Sequence, residues 1–214
     1  MAKSTKCVHV LATPGYAPDL CAITIPRLRA YASRIGANFN LIQERKFPDY
    51  PINYERMQVY EAGQSYDWNI NIDADMVVGT KLPDITDISP ASRVSIVMKY
   101  DLSSHFKTDG NIFFERDQRD AGLVDAFVAT SSLTHDLWKP LSGGFESYKP
   151  LFKDSEYRRI SEYCISLNLA TYGLHYGGAF ARTDHIFHVG FTSGNVREAS
   201  DIAIAKLREW GEDV

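Results

Sequence analysis

Polar and apolar residues alternate most strictly at Trp68-Asn69-Ile70-Asn71-Ile72-Asp73. That two-residue period is the mark of a strand. The strand ends on two carboxylates, Asp73 and Asp75, set around the small Ala74, and an apolar run then resumes at Met76-Val77-Val78. Cys7–Ala12 is a second apolar run and is predicted to be the first strand of a central sheet. Asn38–Gln43, Val94–Lys99, Asn111–Phe114 and Asp125–Thr130 read as further strands. Between them lie helical periods. Pro18 and Asp19 open one that carries Leu20, Ile23, Leu28, Tyr31 and Ile35 up to Gly36, with Pro26 expected to kink or split it. Further helices are predicted over Tyr54–Gln64, Ser132–Lys139, Asp154–Leu167 and Asn195–Trp210, the last with Ala199, Ile202, Ala203, Lys206 and Trp210 near one stripe. Strands alternating with helices place the chain in the α/β class.

The polar stretches separate these elements without dividing the chain. Thr13-Pro14-Gly15-Tyr16 has strong turn chemistry, Glu44–Pro51 is a proline-bearing loop, Gly79–Pro83 turns the chain, and Asp101–Gly110 and Ser142-Gly143-Gly144-Phe145 read as polar loops. There is no repeat, low-complexity tract or shift of composition, so one domain is expected over residues 1–214.

Composition narrows the function classes. With 23 % charged and 44 % hydrophobic residues the chain has the make-up of a soluble globular protein. A net charge of −4 argues against a nucleic-acid partner, which normally meets a basic face. Cys7, Cys21 and Cys164 have no framework spacing and read as small buried hydrophobes in a reducing compartment. Met1–Lys6 lacks the apolar core of a signal peptide, and no apolar run approaches the ~20 residues that span a bilayer. The expected location is therefore the cytoplasm, with peripheral membrane attachment at most.

The candidate chemistry begins at Asp73 and Asp75. Unpaired buried carboxylates cost several kcal/mol or shift their pKa, and a divalent cation relieves that cost. Oxygen ligands suit Mg²⁺ or Mn²⁺, which keep open positions for substrate phosphates. The turn Thr13-Pro14-Gly15-Tyr16 follows the first strand, and ligands of open α/β sheets sit beyond the carboxyl ends of strands. Near the other end, Ile186-Phe187-His188-Val189-Gly190-Phe191-Thr192-Ser193-Gly194 presents a histidine followed by glycines and hydroxyls. The bland alternatives stay open: a solvated Asp-x-Asp turn, a plain strand-to-helix connection, and a satisfied core histidine.

Apolar strand, Asp-Ala-Asp, apolar strand resembles the metal-binding motif of nucleotide-sugar glycosyltransferases with the GT-A fold. Within that group the chain resembles the small single-domain glycosyltransferase of large algal (chlorella) viruses. The resemblance is strongest over Cys7–Val78, returns at His188–Gly194, and is diffuse between. It implies a GT-A-like single domain, with a central mixed, mostly parallel sheet flanked by helices. It also implies a donor that is a UDP-sugar, such as UDP-glucose or a related UDP-hexose like UDP-rhamnose, and a glycan acceptor. The host cytoplasm would be the location if the chain is viral.

The same resemblance suggests roles for residues. Asp73, Asp75 and His188 become ligands of Mn²⁺ or Mg²⁺, with imidazole favouring Mn²⁺. Thr13, Pro14, Gly15 and Tyr16 would meet the nucleotide, Tyr16 by stacking on uracil, together with Asp73 and Ala74. Arg56 stands where relatives carry a basic residue towards the nucleotide-sugar. Gly190 and Thr192 would meet the diphosphate; relatives often have a lysine shortly after the histidine, and here Arg197 or Thr192 would have to substitute. Asp125 lies on a strand that in relatives runs beneath the donor sugar. Asp154 and Glu156 match an acidic cluster near the sugar in retaining members, although acids in a first helical turn are also explained by the helix dipole.

Two other classes remain. Phosphatases of the haloacid-dehalogenase type also place Asp-x-Asp after an apolar strand, but on the first strand, and Met76-Val77 departs from their pattern. The second is a non-catalytic module that binds a sugar nucleotide.

Overall fold

The computed structural model describes residues 4–98, 124–177, 185–190 and 196–213. Six strands form the central sheet in the order β2-β1-β3-β6-β5-β7: β1 Lys6–Leu11, β2 Asn38–Ile42, β3 Trp68–Asp73, β5 Arg93–Met98, β6 Val124–Ser131 and β7 His175–Gly177. β1 runs parallel to both β2 and β3, and β5 runs parallel to β7. β6 is antiparallel to β3 and β5. The predicted strands over Asn38–Gln43, Val94–Lys99 and Asp125–Thr130 fall within two residues of these bounds. The predicted strand Asn111–Phe114 and the loop 101–110 lie outside the described residues.

β3 is central and buried on both faces. Ile70 and Ile72 pack with Val8 and Val10 against α1 (Pro18–Arg34), which offers Leu28, Tyr31 and Ala32. On the opposite face of the sheet, Ile96 and Val128 join a cluster with Tyr54, Met57, Trp138 and Ile160. That cluster includes Tyr163 and Cys164 of the helix Ile160–Thr171. Burying an aliphatic side chain of this kind contributes about 1.5–3 kcal/mol, so both layers hold the sheet strongly.

Several elements differ from their sequence prediction. Pro26 neither splits α1 nor ends it; Pro26 and Ala22 are both solvent-exposed, so the carbonyl that loses its N–H partner can meet water. The predicted helix Tyr54–Gln64 is a 3₁₀ helix, Ile52–Gln58, followed by the short α2, Val59–Ala62. Its Glu55 is fully buried and accepts hydrogen bonds from the Lys46 and Phe47 backbone N–H groups, which tie down the 44–51 loop. Ser132–Trp138 is also 3₁₀, closed by a reciprocal Ser131–Thr134 capping box.

Among the described residues the remaining α-helices are α3 Ile85–Ile88, α4 Phe145–Tyr148, α5 Ile160–Thr171 and α6 Val196–Glu209. Asp154 and Glu156 precede α5 and do not form its first turn: Asp154 is in the left-handed region at φ 43°, and Glu156–Arg159 is a 3₁₀ turn. On α6 the buried stripe is Ala199, Ala203 and Leu207, while Ile202 is exposed. The three cysteines are free, and burial pushes the Cys7 thiol up to about 11. Among the described residues no helix is long and apolar enough to cross a membrane.

Candidate metal centre

After Asp73 the chain leaves the sheet through Ala74 and Asp75 and re-enters extended structure as β4, Met76–Val78. β4 pairs antiparallel with β8, Ile186–His188, and Met76 lies opposite His188. Two hydrogen bonds fix the turn between β3 and β4. The Thr24 hydroxyl on α1 donates to the Ala74 carbonyl at 2.6 Å, and the Val189 N–H donates to the Asp75 carbonyl at 3.1 Å. The pairing brings a segment more than 100 residues away in sequence onto the lip of β3. His188 Nε2 then stands 3.2 Å from Asp75 Oδ2.

Asp73, Asp75 and His188 each offer a ligand atom, and these atoms lie within 4.8 Å of one another. Asp75 is buried and Asp73 is about a quarter exposed at its side chain, 24 %. Desolvation raises the Asp73 pKa, Arg56 opposes that rise, and the charges of Asp75 and Glu162 add to it. Burial lowers the His188 pKa, but its hydrogen bond and charge interaction with Asp75 outweigh this and the net shift is upward. Two carboxylates and one imidazole crowded in partial burial favour a positive charge among them. Their hard oxygens and borderline nitrogen fit Mn²⁺ or Mg²⁺, with the imidazole favouring Mn²⁺.

The turn after β1 faces the same cluster. The Tyr16 N–H donates to the Thr13 carbonyl at 3.0 Å, and Gly15 takes φ 86°, which a side chain would disfavour. Ala17, the N-cap of α1, also sits at positive φ, 35°, before Pro18. A non-glycine residue there is strained by about 1–3 kcal/mol, and such strain gathers at functional sites. The Tyr16 phenol is pushed up by burial and then by the Asp75 and Asp73 carboxylates, which places it within their field. Thr13 is half-buried, and Pro14 and Gly15 are exposed.

Arg56, only 6 % exposed, reaches the cluster from the 3₁₀ helix, its Nη2 3.6 Å from Asp73 Oδ1. The other candidates lie further out or are less defined. Gly190 is exposed at φ 69°, two residues after His188, and Thr192 lies outside the described residues. Asp125 stands near the start of β6, two residues before Phe127, which pairs with Ile72 near the end of β3. Asp154 is exposed, and Glu156 pairs with Arg158 at 3.4 Å. Besides Asp75, the acid whose charge adds to the rise at Asp73 is Glu162, in the first turn of α5, which the sequence periodicity did not single out.

No protein-family model matches the chain, and comparison with curated proteins finds no match. Solved structures do show likeness. The crystal structure of a glycosyltransferase involved in glycosylation of the major capsid of PBCV-1 covers 94 % of this chain and 99 % of its own, with TM-score 0.56 and 13 % identity. A Drosophila β1,4-galactosyltransferase 7 mutant in complex with manganese, UDP-Gal and xylobiose covers 87 % of this chain and 71 % of its own, at TM-score 0.42 and 10 % identity. The first of these likenesses shows the fold, which is that of GT-A glycosyltransferases.

Proposed function

We propose that this chain is a metal-dependent glycosyltransferase that moves a hexose from a UDP-sugar to a hydroxyl of a glycan acceptor, with retention of configuration. The observation that carries the reading is the Asp73–Asp75–His188 cluster at the lip of the central strand, beside the Gly15 turn, on a fold of this type. Asp73, Asp75 and His188 would hold Mn²⁺ or Mg²⁺. When bound, the cation supplies Lewis-acid stabilisation for the diphosphate as the glycosidic bond breaks.

The chain's own residues do the rest. Thr13, Pro14, Gly15 and Tyr16 cradle the nucleotide, the phenol ring offering a stacking face. Ala74 keeps the strand end narrow beside the ribose. Arg56 offers a cation to the sugar-phosphate, and Gly190 and Thr192 meet the diphosphate from the β8 side. Asp125 is assigned to the sugar hydroxyls and Asp154 and Glu156 to the surroundings of the sugar, and the retaining assignment follows from the late His188 taken together with Asp154 and Glu156. The phosphatase and binding-module alternatives have no observation of comparable weight.

Asp75→Ala is the decisive variant. Calorimetry with UDP and Mn²⁺ should show binding by the wild type and a loss of about 100-fold or more in the variant, since one of three ligands and a buried charge are removed. Release of UDP from UDP-glucose and UDP-rhamnose in the presence of Mn²⁺ completes the test. Equal affinities in the two proteins would remove the metal from the reading, and binding without any turnover would favour the non-catalytic module.

A further inference from the structure

Asp73 and Asp75 flank a single residue, and the chain turns at Ala74 and Asp75 between β3 and β4. Side chains two apart on a straight strand share a face, with their Cα atoms about 7 Å apart. How closely the two carboxylates approach one another and His188 is therefore set by the bend of this turn. The bend is held at two carbonyls. The Val189 N–H donates to that of Asp75 at 3.1 Å, and the Thr24 hydroxyl donates to that of Ala74 at 2.6 Å. Among the described residues Thr24 is the one donor to the Ala74 carbonyl, and Ala74 is only 2 % exposed.

Thr24 is an unexpected residue at its place on α1. Leu20, Thr24, Leu28 and Ala32 follow one another at four-residue spacing along the buried stripe of the helix, and Thr24 is fully buried within it. Packing asks for an aliphatic side chain there, and a valine would fill the same space with no hydroxyl to satisfy. The hydroxyl lies 3.1 Å from the Leu20 carbonyl one turn back, a contact open to any helical threonine. Its single proton follows the shorter contact, to Ala74. The helix is also fixed against the far end of β4. Arg27 pairs with Glu212, whose carboxylate accepts from the Thr80 N–H at 2.5 Å and the Thr80 hydroxyl at 2.9 Å. One helix thus grips β4 at both ends, and Thr24 is the grip at the end that carries the acids.

We infer that Thr24 is a positioning residue of the metal centre: by holding the Ala74 carbonyl, its hydroxyl fixes the turn that presents Asp73 and Asp75 to one cation, and so sets the affinity of the site and its discrimination between Mn²⁺ and Mg²⁺. This inference rests on the metal-dependent reading given above. Without the hydroxyl the Ala74 peptide is free to rotate, and the two carboxylates must be ordered at the moment a cation binds. Mg²⁺ demands a near-ideal octahedron with short bonds, whereas the larger Mn²⁺ accepts longer and less regular ones. A loosened turn therefore penalises Mg²⁺ more.

Metal titration of the full-length wild type, Thr24→Val and Thr24→Ser tests this without reference to activity. Free Mn²⁺ is followed by electron paramagnetic resonance, and Mg²⁺ by its competition with bound Mn²⁺. Thr24→Val should weaken Mn²⁺ binding about tenfold and Mg²⁺ binding about thirtyfold, while Thr24→Ser, which keeps the hydroxyl, should stay within about twofold of the wild type for both. Melting temperatures are recorded beside them, because Thr24→Ser leaves a methyl-sized gap and loses stability as well. Affinity must follow the hydroxyl and not the melting temperature. A Thr24→Val protein that binds both ions as the wild type does, or a Thr24→Ser protein that loses as much as Thr24→Val, would overturn the inference. Equal losses for the two ions would overturn its claim on discrimination. Should Thr24→Val fail to fold, Thr24→Cys carries only a weak donor of serine's shape and should bind Mn²⁺ less tightly than Thr24→Ser; equal affinities would overturn the inference. A wild type that binds neither ion would defeat the metal-dependent reading and this inference with it, an outcome distinct from unchanged variants of a protein that does bind.

Discussion

Towards the N-terminal end of β3, Asn69 is fully buried, and its amide is satisfied by neutral partners throughout. His9 Nε2 donates to Asn69 Oδ1 at 2.9 Å, and Asn69 Nδ2 donates to the Gly63 carbonyl at 3.0 Å and to His135 Nδ1 at 3.2 Å. The assignment propagates outward: His9 Nδ1 accepts from Asn40 Nδ2 at 3.0 Å, and His135 Nε2 donates to the Tyr60 carbonyl at 2.8 Å. At the C-terminal end of the same strand face, Asp73 sits beside Asp75, His188 and Arg56, and its carboxyl is displaced from its ordinary titration range. One end solves the burial of polar groups with a closed set of hydrogen bonds. The other gathers two carboxylates, an imidazole and a guanidinium within a few ångströms, with shifted titration, which is the condition expected of a place where a ligand binds.

The largest effect that bears on this contrast is expected at Asn69. Asn69→Ala strips partners from His9, the Gly63 carbonyl and His135 together, all within the core. Orphaned buried groups cost about 1–3 kcal/mol each, so a loss of about 4 kcal/mol is expected after relaxation. Urea denaturation measures it, and Mn²⁺ affinity at temperatures where the variant is folded should be unchanged. A stability loss below about 1 kcal/mol would show that the neutral network is not a closed unit. Gly63 belongs to the same argument, since a Cβ there would come within 2.3 Å of Asn69 Oδ1. The glycine is required by the amide it faces.

Next in size is the acid response. Burial lowers the His9 pKa from 6.5 to about 4, the Asn69 hydrogen bond opposes the shift, and His135 adds to it. The unfolded chain therefore takes up a proton between pH 6.5 and 4 that the folded chain refuses. The unfolded state binds more protons in that window, so stability is complete above pH 6.5 and falls as the pH drops towards 4, by about 3 kcal/mol. Asp73 acts in the opposite sense, because its folded pKa is raised and the folded state takes up its proton first. The His9 contribution is isolated as the difference between wild type and His9→Gln in denaturation midpoints across this range. Parallel curves for the two proteins would remove His9 from the account.

How much of this was open to sequence reading follows from which signal each residue carries. Asp73 and Asp75 stand out because two-residue alternation brings acids to the end of an otherwise apolar strand, and that signal is local. His188 was marked by the glycines after it, although only the β4–β8 pairing shows which acid it meets. Glu162 carried no such mark. Its placement depends on an α5 start at Ile160, six residues later than the acid run at Asp154 suggested, and that of Arg56 on a 3₁₀ turn in which an α-helix was predicted. The strand period likewise marked Asn69 and Asn71 as the polar side of β3, but not that helices would bury that side as well. Periodicity reports which face an element hides; it does not report how tightly a helix winds, and here the winding places the side chains.

Asn71 lies between the two ends and tests where the boundary falls. It is 1 % exposed, it occupies the same strand face as Asn69 and Asp73, and among the described residues neither its Oδ1 nor its Nδ2 has a partner. Such an amide costs stability, whereas leucine has nearly its volume and nothing to satisfy. Asn71→Leu should therefore stabilise the protein by about 1 kcal/mol, seen as a rise of roughly 3 °C in Tm. A fall in Tm would instead place Asn71 in the closed neutral set, satisfied by a buried water as Asn69 is by His9 and His135. If the gain is abolished once Mn²⁺ and UDP are added, Asn71 belongs with the charged end, because a partner that stabilises only the asparagine form would then be present in the loaded protein alone.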